Sequence, residues 1–320
     1  MSATGGNKAI IAAFLANMGI AITKFIAWAF SGSSSMLAEG VHSLADSGNQ
    51  LLLLLGGKRA KQAADKEHPF GYGRVRFVYA FVVAIVLFSI GGVFSVYEGI
   101  SKLQNPHPLE VWWLPVLVLV IAITLESFSL RTAIKESIPH KGNSTWVQFI
   151  RRSKAPELPI VLLEDLAALL GLVIALFGVG LTALTGNGLY DGIATIAIGV
   201  LLVAVAVIVA LEVKSLLVGE GASDDDVAKI ETALLASKDV GRIIHMKTLY
   251  LGPDEFMVGA KIDVEPSKTM GEVSVIVNLA ERRIREAVPA ARIIYIEPDI
   301  YLDPDAGTPS TSSIVMLSSD

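Results

Sequence analysis

Between Ala38 and Gln50, a segment apolar enough to span a membrane carries Glu39, His42, Asp46 and Asn49. At about 100° per residue these four fall within a sector of roughly 80° on one helical face. Carboxylate, imidazole and amide groups bind divalent cations through oxygen and nitrogen. An ionisable group at membrane depth costs roughly 2.5 to 3.5 kcal/mol on insertion scales, so such groups line a pathway or meet a partner. One helical turn separates His42 from Asp46, which equally allows the two simply to bond each other.

A second polar island, Glu164 and Asp165, lies early in the apolar segment that begins at Pro156. Adjacent positions point about 100° apart, so at most one can be centred on a shared site while the other faces a different helix. With His42 and Asp46 these carboxylates supply three or four nitrogen and oxygen ligands, enough for tetrahedral zinc. The alternative is a set of buried ion pairs, with Lys24 of the preceding segment as a cation. The chain has no cysteine, which excludes disulfides, thiolate metal sites and a cysteine nucleophile. There is no GxxxxGK[ST] phosphate loop to suggest ATP as an energy source, and no HExxH pair for an intramembrane metallohydrolase, so no enzymatic activity is expected.

The elements that must hold these residues follow from composition. Of 320 residues, 52% are hydrophobic and 18% charged, with a mean hydropathy of +0.58; soluble domains average roughly 25% charged. An α-helical integral membrane protein is predicted. Six apolar stretches, each near the roughly 20 residues that cross a bilayer as a helix, fall at residues 7–30, 34–56, 76–101, 111–134, 157–184 and 189–216. The first lacks a small-residue cleavage site and exceeds the core of a signal peptide, so it is expected to be retained.

Lys and Arg are missing from the turns at 31–33, 103–110 and 185–188. They crowd the opposite connections as Lys58, Arg59, Lys61, Lys66 and Arg74, then Lys135, Lys141, Arg151, Arg152 and Lys154. Both termini are therefore expected on the cytoplasmic side, the membrane being a bacterial plasma membrane. In the connection at 136–156, Trp146, Phe149 and Ile150 beside the arginines read as an interfacial anchor. Glu126, near Ser127 and Ser129, and Asp191 are further ionisable groups in apolar surroundings, with bonding to a neighbouring helix or proton movement as their roles. His107 and His140 read as loop residues.

The division into domains follows the charge. Residues 1–216, the six-helix transport domain, hold 16 basic and 13 acidic side chains, and residues 217–320 hold 10 and 18. An acidic region argues against nucleic acid and suits the attraction of cations. Within 217–302, Ser223 followed by three aspartates marks a helix N-terminus running to about Ser237. Strands at 243–251 and 256–264 flank the turn sequence Gly252-Pro253-Asp254-Glu255, and a helix at 269–287 precedes a strand at 291–296. The order αββαβ implies a small α+β domain with helices on one face of a sheet. Residues 303–320 are rich in Pro, Ser, Thr and Gly, the composition of a disordered tail.

His42-Ser43-Leu44-Ala45-Asp46 resembles the HxxxD of the second span in the cation diffusion facilitators, a family of divalent-metal/proton antiporters. Asp65-Lys66-Glu67-His68-Pro69-Phe70-Gly71-Tyr72-Gly73-Arg74 resembles that family's DxxHxFGHGK-like loop, and the αββαβ region resembles its ferredoxin-like cytoplasmic domain. The resemblance covers residues 7–300. It implies a homodimer that exports a divalent cation, zinc foremost, by alternating access in exchange for protons. His42, Asp46 and Asp165 stand at its transport-site positions; the metal is cargo, and no prosthetic group is implied.

Where the family's zinc members place His or Asp four residues before the fifth-span Asp, this chain has Val161. Glu164 beside Asp165 is instead similar to the branch of mitochondrial-type zinc carriers, leaving Glu164, Glu39 or water as fourth ligand. Such a set suits Zn²⁺ and tolerates Fe²⁺, Co²⁺ or Mn²⁺. Asp65 and His68 match a second, weaker metal site, but Tyr72 replaces its other histidine; solvated residues holding a turn are the alternative. Arg74 matches a basic position that pairs with an acid after the last span, here Glu220. In the cytoplasmic domain His245 and Glu297 stand where the family has a fuller ligand cluster, so dimerisation by packing is expected there. A passive or metal-gated channel is the other class of function. Symmetry-related rings of ligands would mark a channel, whereas these ligands are split over two helices of one chain.

Overall fold

The apolar stretches fold as long helices. The computed structural model describes residues 3–106 and 111–302. His107 and the tail expected at 303–320 lie outside the described residues. The described residues divide into two compact units, one comprising those up to Ala63 with those within Arg74–Leu217, the other Ala64–Gly73 with those from Val218 onward.

In the helical unit, α1 (Ala3–Ser31) and α2 (Ser34–Arg59) pack along each other. The link between them is short because Gly32 adopts φ 64°, a left-handed conformation that glycine reaches without a Cβ penalty. Ser33 then caps α2, its hydroxyl accepting from the Met36 N–H. Next come α3 (Val75–Val86), a π-helical segment (Leu87–Val93) and α4 (Phe94–Gln104), continuous as one rod. The helices α5 (Trp113–Lys141), α7 (Glu157–Thr185) and α8 (Leu189–Val218) follow, with the short α6 (Trp146–Arg152) between α5 and α7. Among the described residues, four helical rods, Val75–Gln104, Trp113–Lys141, Glu157–Thr185 and Leu189–Val218, are long and apolar enough to cross a membrane. Their outward side chains, Phe128, Phe177, Leu184 and Leu211 among them, are exposed, an arrangement that lipid accepts and water does not.

Helix α5 continues to Lys141, beyond the apolar run and with Pro139 inside it, so His140 lies in its last turn and not in a loop. The basic connection contains α6, started by a capping box between Thr145 and Gln148. Phe149 is buried with Ala133 and Leu162, while Trp146 and Val147 stay exposed.

Helix α8 approaches the α3–α4 rod along glycines. A Cβ on Gly199 would lie 2.7 Å from the Val96 nitrogen and 2.9 Å from the Gly92 carbonyl, and one on Gly99 would lie 2.8 Å from the Ile196 nitrogen. Small residues let membrane helices bring their backbones together.

In the second unit, α9 (Asp224–Leu235) is capped by Ser223 and α10 (Met270–Ala287) by a Thr269–Glu272 capping box. β1 (Ile243–Gly252) and β2 (Glu255–Asp263) form the antiparallel hairpin, and β3 (Ala291–Asp299) joins β2 in parallel after α10. Element order is thus αββαβ, in a sheet ordered β1-β2-β3. Alternate residues of β2, Phe256, Val258, Ala260 and Ile262, are buried with Ile230, Leu234, Ile276 and Ile284 of the helices, as period-two geometry requires.

Gly199→Ala places a methyl against backbone atoms that cannot rotate away. A loss of about 1 to 3 kcal/mol is expected, measured as a lower thermal midpoint in detergent; an unchanged midpoint would mean that the seam is loose.

Candidate functional site

Helical periodicity brings Glu39, His42, Asp46 and Asn49 of α2 to the interior, and all four are buried. His42 Nε2 lies 3.4 Å from Asp46 Oδ2, a close contact without hydrogen-bond alignment. Neither ring nitrogen of His42, nor Asp46 Oδ1, has a hydrogen-bond partner among the described residues. Buried polar atoms are normally satisfied, which makes this pair the candidate site in the helical unit. The π-helical segment runs beside it: a Cβ on Gly91 would lie 3.8 Å from His42 Nδ1. Segments of this type often mark functional sites.

From α7, Glu164 and Asp165 diverge as adjacent positions on a helix must. Asn49 Nδ2 donates to Glu164 Oε1 at 2.8 Å, and Ser129 Oγ of α5 donates to Asp165 Oδ2 at 2.9 Å. Glu164 therefore joins the polar face of α2, while Asp165 is tied towards α5. Both are buried, and Glu126 is an electrostatic neighbour of Asp165 and Asp46. Among the described residues, no three His, Asp or Glu side chains are gathered at metal-binding distance. His42 and Asp46 come together, with Glu164 and Asp165 on the facing helix.

Glu39 meets the ammonium of Lys24 from α1. Lys24 Nζ donates to Glu39 Oε2 at 2.9 Å and to Ser43 Oγ at 2.8 Å, and both charged residues are buried. Lys24, the cation weighed in the sequence as a partner for the acids at Glu164 and Asp165, thus pairs with Glu39.

Asp191, noted in the sequence as an ionisable group near the start of the last span, has a definite role in the fold. Fully buried in the first turn of α8, its carboxylate accepts from Ser34 N at 2.7 Å, Ser33 Oγ at 3.0 Å and Ser35 N at 3.4 Å. Ser35 Oγ and Thr195 Oγ1 also donate to its carbonyl, and its own N–H donates to Thr182 Oγ1. An acid from one helix thereby satisfies the free N–H groups and the positive dipole end of another. The run Ser33-Ser34-Ser35 opposite an acid in another span was the available signal, but it names no partner.

The loop preceding α3 is exposed. Glu67 and His68 donate their backbone N–H to Asp65 Oδ1, and the Tyr72 hydroxyl donates to Oδ2 at 2.6 Å. The Tyr72 hydrogen bond, with the backbone bonds behind it, holds the Asp65 carboxyl below its ordinary range and raises the Tyr72 phenol. His68 stacks on Tyr72 at 4.3 Å. In this arrangement Asp65 and His68 hold a turn. In the sheet unit, Lys261 bridges Glu297 at 3.1 Å and Asp299 at 2.8 Å, and His245 pairs in register with Lys261.

The description "cation efflux transmembrane domain" matches residues 10–218. The chain is 35% identical over 265 residues to the proton-coupled zinc antiporter SLC30A9, mitochondrial, of Xenopus laevis, covering 82% of this chain and 47% of that protein. Metal tolerance protein C4 of Arabidopsis thaliana is 32% identical over 259 residues, 80% of this chain and 56% of that one. The cation-efflux pump FieF of Klebsiella pneumoniae is 24% identical over 304 residues, 95% of this chain and 94% of that pump. The chain thus spans about half the length of the first two relatives.

Asp191→Ala leaves the Ser34 and Ser35 N–H groups buried without an acceptor. A cost of about 1 to 3 kcal/mol is expected, with Asp191→Asn losing less because an amide oxygen remains; thermal unfolding in detergent compares the two. For the loop, a depressed carboxyl contributes order that is present above its unfolded value and lost as pH falls through its folded one. Tyr72→Phe should therefore raise the titration midpoint of Asp65, read from its carboxyl carbon by NMR. An unmoved midpoint would mean that the phenol bond is not formed in solution.

Proposed function

The chain belongs to the cation efflux family, and on that premise we propose that this integral membrane protein is a divalent-cation/proton antiporter with zinc as its foremost cargo. The observation that carries the reading is the buried His42–Asp46 pair on α2, whose ring nitrogens and free carboxylate oxygen lack hydrogen-bond partners among the described residues. Ligands are assigned as His42 and Asp46 from α2 with Glu164 and Asp165 from α7. Asn49 and Ser129 hold the two α7 acids in place through one oxygen each.

Exchange follows from the cost of bare charge in an apolar interior. The carboxylates must be deprotonated, and His42 neutral, to hold a cation. When protons occupy them the cation loses its ligands. Metal and protons thus alternate as the compensating charge, and this mutual exclusion couples the two fluxes. An imidazole with three carboxylates suits Zn²⁺ and tolerates Fe²⁺, Co²⁺ or Mn²⁺. The proton-coupled zinc antiporter and the efflux pump among the relatives support this reading by their names.

The proposed architecture has six membrane helices, α1 and α2 completing the four apolar rods, in a transport domain at 1–216. A ferredoxin-like domain at 217–302 would pair two copies in a homodimer. The Lys and Arg distribution supports cytoplasmic termini, and the near full-length match to a bacterial pump supports a bacterial plasma membrane.

The test is zinc-dependent proton flux in liposomes over a panel of Zn²⁺, Fe²⁺, Co²⁺ and Mn²⁺. Asp46→Asn and Asp165→Asn should each reduce flux to background while the protein remains folded, because each removes one of three or four ligands. Glu164→Gln should give a partial loss. Native flux in Asp46→Asn would place the site elsewhere.

A further inference from the structure

Lys24 is a lysine buried inside an apolar helix bundle, 2% exposed, with its ammonium on the polar face of α2. It contacts Glu39 Oε2 at 2.9 Å, Ser43 Oγ at 2.8 Å and the Glu39 carbonyl at 3.4 Å. The other carboxylate oxygen, Glu39 Oε1, has no hydrogen-bond partner among the described residues and sits over Gly171 of α7, where a Cβ would be 2.7 Å away. Glu39 stands three residues before His42 on the same face, a rise of about 4.5 Å. A fifth potential ligand is therefore one turn from the transport pair, and the protein occupies it with a cation of its own.

On the reading of this chain as a divalent-cation carrier, we infer that Lys24 is a specificity-determining residue: its ammonium withholds Glu39 from the cation site and keeps the imidazole of His42 prominent in the ligand set. Stability alone accounts poorly for the pair, since a buried ion pair is often matched or surpassed by apolar residues of similar size. Selectivity accounts for it better. Without the ammonium, a bare carboxylate one turn from His42 must take a proton or share the incoming metal. An added carboxylate makes the site richer in oxygen, which favours harder cations such as Mn²⁺ over Zn²⁺. Glu126 and Asp46 are the further charged groups within electrostatic reach of Lys24, so its removal also deepens the negative potential that a divalent cation meets.

The experiment compares uptake of Zn²⁺ and Mn²⁺ by the full chain in reconstituted vesicles. Lys24→Met should shift the Zn²⁺-to-Mn²⁺ preference towards Mn²⁺ by about tenfold, the lower end of effects seen when a residue supporting a metal site is changed. Lys24→Gln, which keeps a hydrogen bond to Glu39 and so preserves packing, should shift it in the same direction. Adding Glu39→Gln to Lys24→Met should return the preference to the native value, because the released carboxylate is gone. A purely structural role would reduce uptake of both cations alike and leave their ratio unchanged. An unchanged ratio in folded Lys24→Met or Lys24→Gln overturns the inference, as does a ratio that stays shifted in the double variant. If the native chain moves neither cation, the carrier reading itself falls; if it moves zinc and the ratio ignores Lys24, only the role of Lys24 is lost.

Discussion

Charge inside an apolar bundle must be met by another group, and in the helical unit the side-chain arrangement follows from that requirement. Taking a carboxylate out of water costs several kcal/mol unless hydrogen bonds or an opposite charge replace the solvent. Four buried acids find four different answers here. Glu39 meets the Lys24 ammonium, Asp191 meets the N-terminus of α2, Glu164 meets the Asn49 amide and Asp165 meets the Ser129 hydroxyl. His42 and Asp46 are left incompletely satisfied. Beside acids that each have at least one partner, this incomplete pair is what carries the proposal of a cation site.

The same requirement explains why α2 is the hub of the unit. It packs against α1, the α3–α4 rod with its π-helical segment, and α7, so its polar face is closed from several sides. Asp191 ties its first turn to α8, and Asn49 ties its latter half to α7. Between these ties lie Glu39, His42 and Asp46. Separately, glycine contacts between α8 and the α3–α4 rod let those two backbones approach closely. Bulkier residues there would separate α8 from the rod.

In the second unit the balance is ordinary for water. Its acids sit at helix starts, as Ser223 with Asp226 and Thr269 with Glu272, or in bridges such as half-buried Lys261 with Glu297 and Asp299. The capping interaction with Thr269 holds the Glu272 carboxyl below its usual range, and Lys261 does the same for Asp299. These contacts lie at or near the surface of the αββαβ unit, where each is worth little alone.

Much was legible in the chain before any coordinates. Hydrophobic runs announced the long helices, alternation and a Gly-Pro-Asp turn announced the hairpin, and a 3.6-residue period put Glu39, His42, Asp46 and Asn49 on one face, because these signals depend only on local backbone geometry. Adjacency likewise required Glu164 and Asp165 to diverge. The periodicity does not say which acid faces which helix, since that depends on how α7 is rotated against α2 and α5, and packing sets that rotation. The capture of Glu39 by Lys24, the capping of α2 by Asp191 and the turn held by Asp65 with Tyr72 depend on distances between side chains in different elements or across a loop. The π-helical segment beside His42 was equally silent, as two glycines in an apolar run fit a regular helix as well. Residue types and their spacing determined which groups could do chemistry; tertiary packing decided which were already spoken for, because a buried charge takes the nearest partner that the fold provides.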